Sequence, residues 1–247
     1  MRVVAALPAT ALVGGTLAHG AWANDNVATT TQSGNGNEAY VDQTGVGNDS
    51  QAWQTGNENL AQIEQTGRSD QATTTANGNA NQQRITQNGS GVGNEAVNFA
   101  RGNGNDQSID QVNRENYAEN NARGGGNTQS ITQSSRQNNA WNRVEDGGWN
   151  NEQTIQQSGP GNTATNEAKR GGGRNTQSIE QFGSNGVAEN TINGGSGNQQ
   201  YITQGNLQEN PQAHLFLIDY LNRLGRVRRF GQPMVLNEEF ARAKAPM

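Results

Sequence analysis

Isolated apolar residues recur at fixed intervals in an otherwise polar chain, and their spacing defines an eleven-residue unit repeated from Asn26 to Asn206. Asn opens the unit, a small or apolar residue takes the fifth position, Gln or Ala usually the seventh, and Gly often the ninth. Asn37-Glu-Ala39-Tyr-Val41-Asp-Gln43-Thr-Gly45 shows the pattern, and Asn59-Leu-Ala61-Gln-Ile63-Glu-Gln65-Thr-Gly67 repeats it two units later. Odd positions from the first to the ninth are restricted, whereas even ones vary among Glu, Asp, Tyr, Trp, Thr and Arg. A period of two belongs to a β-strand with one constrained and one solvated face. Self-similarity at so short a period signals a solenoid whose repeats stack on their neighbours.

A doubled period lies over the first. In every other unit the fifth position reads Val41, Ile63, Ile85, Ile109, Ile131, Ile155, Ile179 and Ile202; the alternate units give Thr30, Ala52, Thr74, Asn98, Asn120, Asn142, Asn166 and Asn190. Two kinds of strand therefore alternate, and one coil is a pair of units. The expected fold is an all-β solenoid of about eight two-strand coils, with two parallel sheets facing each other across a thin interior. Unit starts at Asn26, Asn37, Asn48, Asn59, Asp70, Asn81, Asn94, Asn105, Asn116, Asn127, Asn138, Asn151, Asn162, Asn175, Gly186 and Asn198 are mostly 11 residues apart, stretching to 12 or 13 at four places.

Glycine-rich links separate the strands, with turn glycines at Gly34, Gly45, Gly56, Gly67, Gly89, Gly102, Gly124, Gly159 and Gly183. Glycine reaches positive φ without a Cβ penalty, which a chain reversing in two or three residues needs. The extra residues are expected in these links, leaving strand register intact. Stacking would place Ile over Ile, Asn over Asn, and Gln over Gln along Gln43, Gln65, Gln87, Gln111, Gln133, Gln157, Gln181 and Gln204. A lone buried amide costs a few kcal/mol, but in a ladder each donates to the identical amide one coil away. With strands ~4.8 Å apart, eight coils predict a rod of roughly 38 Å.

Composition supports a polar interior, since hydrophobic residues are 30% of the 247 and mean hydropathy is −0.93. Without cysteine there are no disulfides, thiolate metal sites or cysteine nucleophiles. Residues 1–23 read as an export signal: Arg2, an apolar stretch from Val3 to Leu17, and Ala21-Trp22-Ala23 as a small-x-small cleavage site. The array, residues 24–208, is acidic and a poor surface for nucleic acid. The tail, residues 209–247, has an apolar run at helical spacing from Ala213 to Leu224, followed by Arg226, Arg228 and Arg229. This amphipathic basic helix, with Arg223 also on it, is expected either to cap the last coil or to anchor the protein to a membrane or a partner.

The pattern Asn-x-Ala-x-x-x-Gln-x-Gly, paired into coils behind an export signal, resembles the curlin repeats of bacterial curli subunits, most plainly in Asn37 to Gly45, Asn59 to Gly67, Asn127 to Gln133 and Asn175 to Gly183. Curlins are exported, polymerise outside the cell into amyloid fibres and bind cells together in biofilm matrix. The resemblance thus implies self-assembly, related curlin subunits as partners, and contact with outer-membrane secretion or nucleation machinery, as a main fibre subunit or a surface-anchored nucleator. Curlins commonly begin with a segment recognised by the secretion pore; here the repeats start directly after Ala23.

No cofactor, metal or catalytic site is expected. His214 has no carboxylate neighbour nearer in sequence than Asp219, and Glu38, Asp42, Glu64, Asp110 and Glu180 occupy outward positions. Calcium-binding solenoids need regular Asp in a Gly-Gly-x-Gly-x-Asp pattern, which is missing. A monomeric solenoid recognising ice or polysaccharide through an outward threonine array is the rival reading, hinted at by Thr29-Thr30-Thr31 and Thr73-Thr74-Thr75. Gln51-Ala52-Trp53 interrupts that array. Because only Asn24 and Asp25 separate the cleavage site from the first unit, the N-terminal edge is expected to be bare.

Overall fold

The computed structural model describes residues 16–22, 25–89 and 92–205. Its strands in chain order are β1 (Thr16–Trp22), β2 (Val27–Ser33), β3 (Glu38–Thr44), β4 (Asp49–Thr55), β5 (Leu60–Gln65), β6 (Gln71–Asn77), β7 (Gln82–Asn88), β8 (Glu95–Arg101) and β9 (Asp106–Val112). There follow β10 (Tyr117–Gly125), β11 (Thr128–Gln133), β12 (Asn139–Trp149), β13 (Glu152–Gln157), β14 (Thr163–Lys169), β15 (Thr176–Gln181), β16 (Val187–Asn193) and β17 (Gln199–Gln204). Odd strands form a 9-stranded sheet and even strands an 8-stranded one, each in sequence order. The chain thus alternates between two parallel walls and climbs one rung per coil, a β-solenoid.

Register follows the doubled period. Ile63 pairs with Val41 and Ile85, and Ile131 with Ile109 and Ile155, so like residues form continuous columns. Each constrained face turns inward, where Ile85, Ile155 and Ile179 are 0% exposed beside the alanine columns. Thr86, on the outer face, is nearly buried too at 6% exposed, which the alternation does not explain. β-Branched and amide side chains fill these pleated surfaces without large apolar volume, which is why so polar a chain still has a packed interior.

The corners after even strands explain one glycine column. Gly34, Gly56, Gly78, Gly102 and Gly124 have φ of 113, 117, 140, 127 and 137°. A Cβ at any of them would overlap the backbone carbonyl of the glycine or its equivalent one coil on. Two residues further, the backbone is again left-handed but roomy: Gly104 (φ 65°) has open space, and Ala80 (φ 53°) and Glu58 (φ 56°) occupy the same column.

The expected placement of the extra residues needs adjusting. The extra residues between Asn81 and Asn94, and between Asn162 and Asn175, do fall between strands, but those between Asn138 and Asn151 make a bulge near the end of β12. There the pairing shifts from Ala122 opposite Val144 to Gly124 opposite Gly148, and Asp146 and Gly147 take positive φ. A bulge absorbs residues by leaving them unpaired, so the ladder resumes in register. The N-terminal edge of the odd sheet is not bare in the whole chain: β1 pairs with β3, Thr16 opposite Ala39 and Ala18 opposite Val41. Pairing uses only backbone groups, so a segment without the repeat motif can still occupy an open edge. The helix expected in the tail, with Arg223, Arg226, Arg228, Arg229 and His214, lies outside the described residues, which contain no helix.

Candidate functional site: amide ladders and the two ends of the solenoid

The seventh position of odd strands carries an unbroken amide row. Gln43 Nε2 donates to Gln65 Oε1 at 2.8 Å, Gln65 to Gln87 at 2.8 Å, Gln87 to Gln111 at 2.9 Å, Gln111 to Gln133 at 2.9 Å, and so on to Gln181 and Gln204 at 2.8 Å. The second amide proton crosses the interior, as from Gln43 to the Val27 carbonyl at 3.0 Å and from Gln133 to that of Tyr117 at 2.9 Å. Each glutamine is thus tied both to its own row and to the facing wall, which offsets the loss of water around it.

The asparagines of even strands form a second row. Asn120 Nδ2 donates to Asn98 Oδ1 at 3.1 Å and to the Ser108 carbonyl at 2.9 Å, and Asn142, Asn166 and Asn190 continue it. Sequence reasoning missed a third row, Gln83, Gln107, Gln129, Gln153, Gln177 and Gln200, at the third position of odd strands. Its signal was present, because that position admits only Ala or Gln. The unit-opening asparagines also ladder: both the backbone N–H and Nδ2 of Asn59 donate to Asn37 Oδ1 at 3.0 Å.

These rows have direction. Glutamine amides donate towards the C-terminal end of the rod, whereas the opening asparagines donate towards the N-terminal end. Among the described residues, the last rung therefore presents Gln204 Nε2 as a donor and Asn198 Oδ1 as an acceptor. At the other end, among the described residues, Gln43 Oε1 receives no hydrogen bond. Outward columns also match end to end. Val27 and Val187 share a column whose intervening rungs are Asp49, Gln71, Glu95, Tyr117, Asn139 and Thr163. Val187 is 71% and Val27 40% exposed. Tyr40 and Tyr201 likewise share a column with only Gln, Arg, Ser and Thr between them.

The faces offer less. Tyr117 and Trp141 pack with ring centroids 5.5 Å apart. The Tyr117 hydroxyl donates to Glu119 at 3.0 Å, and burial together with that carboxylate pushes its pKa up to about 12. Among the described residues no cluster of His, Cys, Asp or Glu is placed to hold a metal ion, and no helix is long and apolar enough to cross a membrane.

A polar interior of stacked amides between two parallel walls defines a β-solenoid of the cross-β kind. The family model described as Curlin associated repeat matches residues 23–56, so this stretch of the chain is similar to that repeat. That family is one of structural subunits rather than enzymes. No curated protein and no solved structure matches the chain.

Proposed function

We propose that this protein is a secreted structural subunit that assembles end to end into extracellular, curli-like amyloid fibres serving matrix and adhesion. The observation that carries the reading is the complementarity of its two ends. With residues 1–23 removed after Ala23, the C-terminal rung of one copy seats on the N-terminal rung of the next, β16 on β2 and β17 on β3. Gln204 then donates to Gln43, Asn37 donates to Asn198, Ile202 covers Val41, and the exposed Val187 and Tyr201 meet Val27 and Tyr40. Two like ends would set acceptor against acceptor, so growth is polar. Related curlin subunits fit as co-assembling partners, and outer-membrane secretion or nucleation machinery fits the export route. The basic tail fits a membrane or nucleator contact.

The test is assembly of the purified protein cleaved after Ala23. Fibres form after a lag that preformed seeds abolish, with a rise in thioflavin fluorescence and a meridional reflection near ~4.8 Å. A concentrated sample that stays monomeric for days would refute the proposal and leave the monomeric ligand-binding solenoid.

A further inference from the structure

Asp70 stands where the neighbouring rungs of its column carry asparagine: Asn48 precedes it, and Asn94, Asn116 and Asn138 follow. It is 0% exposed. In an asparagine rung, Oδ1 accepts the N–H of the next rung while Nδ2 donates to a corner carbonyl. Asn48 Nδ2 reaches the Gly67 carbonyl at 3.2 Å and Asn94 Nδ2 that of Asn113 at 2.8 Å. Asp70 keeps only the first half, since its Oδ1 accepts from the N–H and Nδ2 of Asn94 at 2.9 and 3.0 Å. Its Oδ2 replaces the amide nitrogen, is buried, and has no hydrogen-bond partner. The carbonyl that the column assigns to this rung is that of Gly89, nineteen residues on, as Gly67 is from Asn48. A Cβ on Gly67 would collide with Asp70 Oδ2 and lie 3.2 Å from the Gly89 carbonyl oxygen, so both oxygens border one small space.

Among the described residues no cation pairs with this carboxyl. The charged positions on the segments beside it are Arg68 in the preceding link, Asp49 on β4 and Glu95 on β8, the last two paired with Gln71 next to it. The ion pairs among the described residues are Arg143 with Glu119 and Lys169 with Glu167, both remote from it. Burial raises the Asp70 pKa above the ordinary aspartate value, and the hydrogen bonds from Asn94 oppose the rise without cancelling it.

We propose that Asp70 is a proton-operated rung. Taking one proton from solvent turns Oδ2 into a donor to the Gly89 carbonyl and completes the column, whereas ionisation leaves the buried Oδ2 facing that carbonyl oxygen with no proton between them. Only a proton moves, and no covalent bond of the chain changes. Because the folded state holds the proton more tightly than the unfolded one, the contribution is fully present below the ordinary aspartate value of ~3.9. It is lost as pH rises through the raised value and stays lost above it.

The experiment compares denaturant unfolding of the full chain, followed by circular dichroism from about pH 3 to about pH 8, with that of Asp70→Asn and Asp110→Asn. Asp70→Asn installs the amide that the column carries elsewhere. The expected result is that wild type and Asp70→Asn agree at low pH and then diverge. At neutral pH the variant's folding equilibrium is more favourable by about tenfold for each unit of raised pKa. Asp110→Asn, exposed on the outer face, follows the wild-type profile. Parallel curves for wild type and Asp70→Asn, or an Asp70→Asn chain that is less stable or unfolded at neutral pH, overturn the proposal. The readout is unfolding, so the result is independent of whether fibres form.

Discussion

Up to β6 the solenoid keeps glutamines on the even-strand wall, Gln32 and Gln54, opposite alanines on the odd-strand wall, Ala39 and Ala61. From the coil of β6 and β7 onward the arrangement is reversed: Ala76, Ala100 and Ala122 stand on the even wall and Gln83, Gln107 and Gln129 on the odd. In both regions the amide crosses to the backbone of the wall that offers no amide at this corner. Gln54 Nε2 donates to the Glu38 carbonyl at 2.8 Å, and Gln83 Nε2 to that of Thr75 at 2.9 Å. The interior therefore sets one amide against one aliphatic side chain per rung across that corner, alanine in most rungs and Val144 or Ile192 in two, and it is indifferent to which wall supplies which. It is sensitive to the switch itself. A row that starts or stops leaves an unmatched atom, and among the described residues six of the nine buried side-chain polar atoms without partners belong to residues from Asp49 to Thr86, Gln83 Oε1 among them. Local opening should begin at this seam, where buried polar groups are least satisfied.

The largest expected effect tests what the two regions share. The isoleucine column runs through both, so Ile63→Asp and Ile131→Asp each bury a charge without a partner and should destabilise the fold by about 4 kcal/mol or more, abolishing assembly as well. Thr132→Asp, beside Ile131 but outward and half-buried, should change stability by about 1 kcal/mol or less. Denaturant unfolding measures all three. Tolerance of Ile63→Asp but not of Ile131→Asp would show the early coils to be a separate folding unit.

A smaller effect concerns the corner that is the same on both sides of the seam. Gly102→Ala forces a Cβ into the carbonyl of Gly124 at φ 127° and should cost about 3 kcal/mol. Gly104→Ala, in open space at φ 65°, should cost about 1 kcal/mol, since Ala80 already holds that conformation one coil earlier. Comparable losses at both positions would mean that close approach of successive coils does not govern the corner.

Much of this was legible in the sequence, for a physical reason. Residues such as Ile85 and Gln87 repeat at the coil period because a parallel in-register stack puts each on its own copy, so the structural rule is written directly as repetition. What escaped is what repetition does not encode. The Gln83 row was hidden because its column changes from Ala to Gln partway, and a pattern seen through averaging loses a switch. Strand β1 carries none of the unit, since an edge is filled through the backbone and leaves no mark on side-chain order. The β12 bulge was misplaced because insertion length does not say whether residues loop out or bulge. Asp70 read as one more polar unit start, although a single atom separates it from asparagine.

The seam itself gives the finest test. Ala76→Gln alone crowds a corner already crossed by Gln83, and overpacking of this kind costs about 1–3 kcal/mol. Gln83→Ala alone removes the donor to the Thr75 carbonyl and the Gln107 amide, bonds of 2.9 Å each, and opens a cavity, at a cost of about 1–3 kcal/mol. Together the changes convert this coil from the later arrangement to the earlier one: Gln54 gains an amide to donate to, and the unmatched acceptor moves from Gln83 to Gln107. The number of unsatisfied atoms is unchanged, so the double variant should return to within about 0.5 kcal/mol of wild type, with a coupling of about 2 kcal/mol or more in a double-mutant cycle. Additive losses would show that the two walls are filled independently and that the reversal between the early and late coils has no energetic meaning.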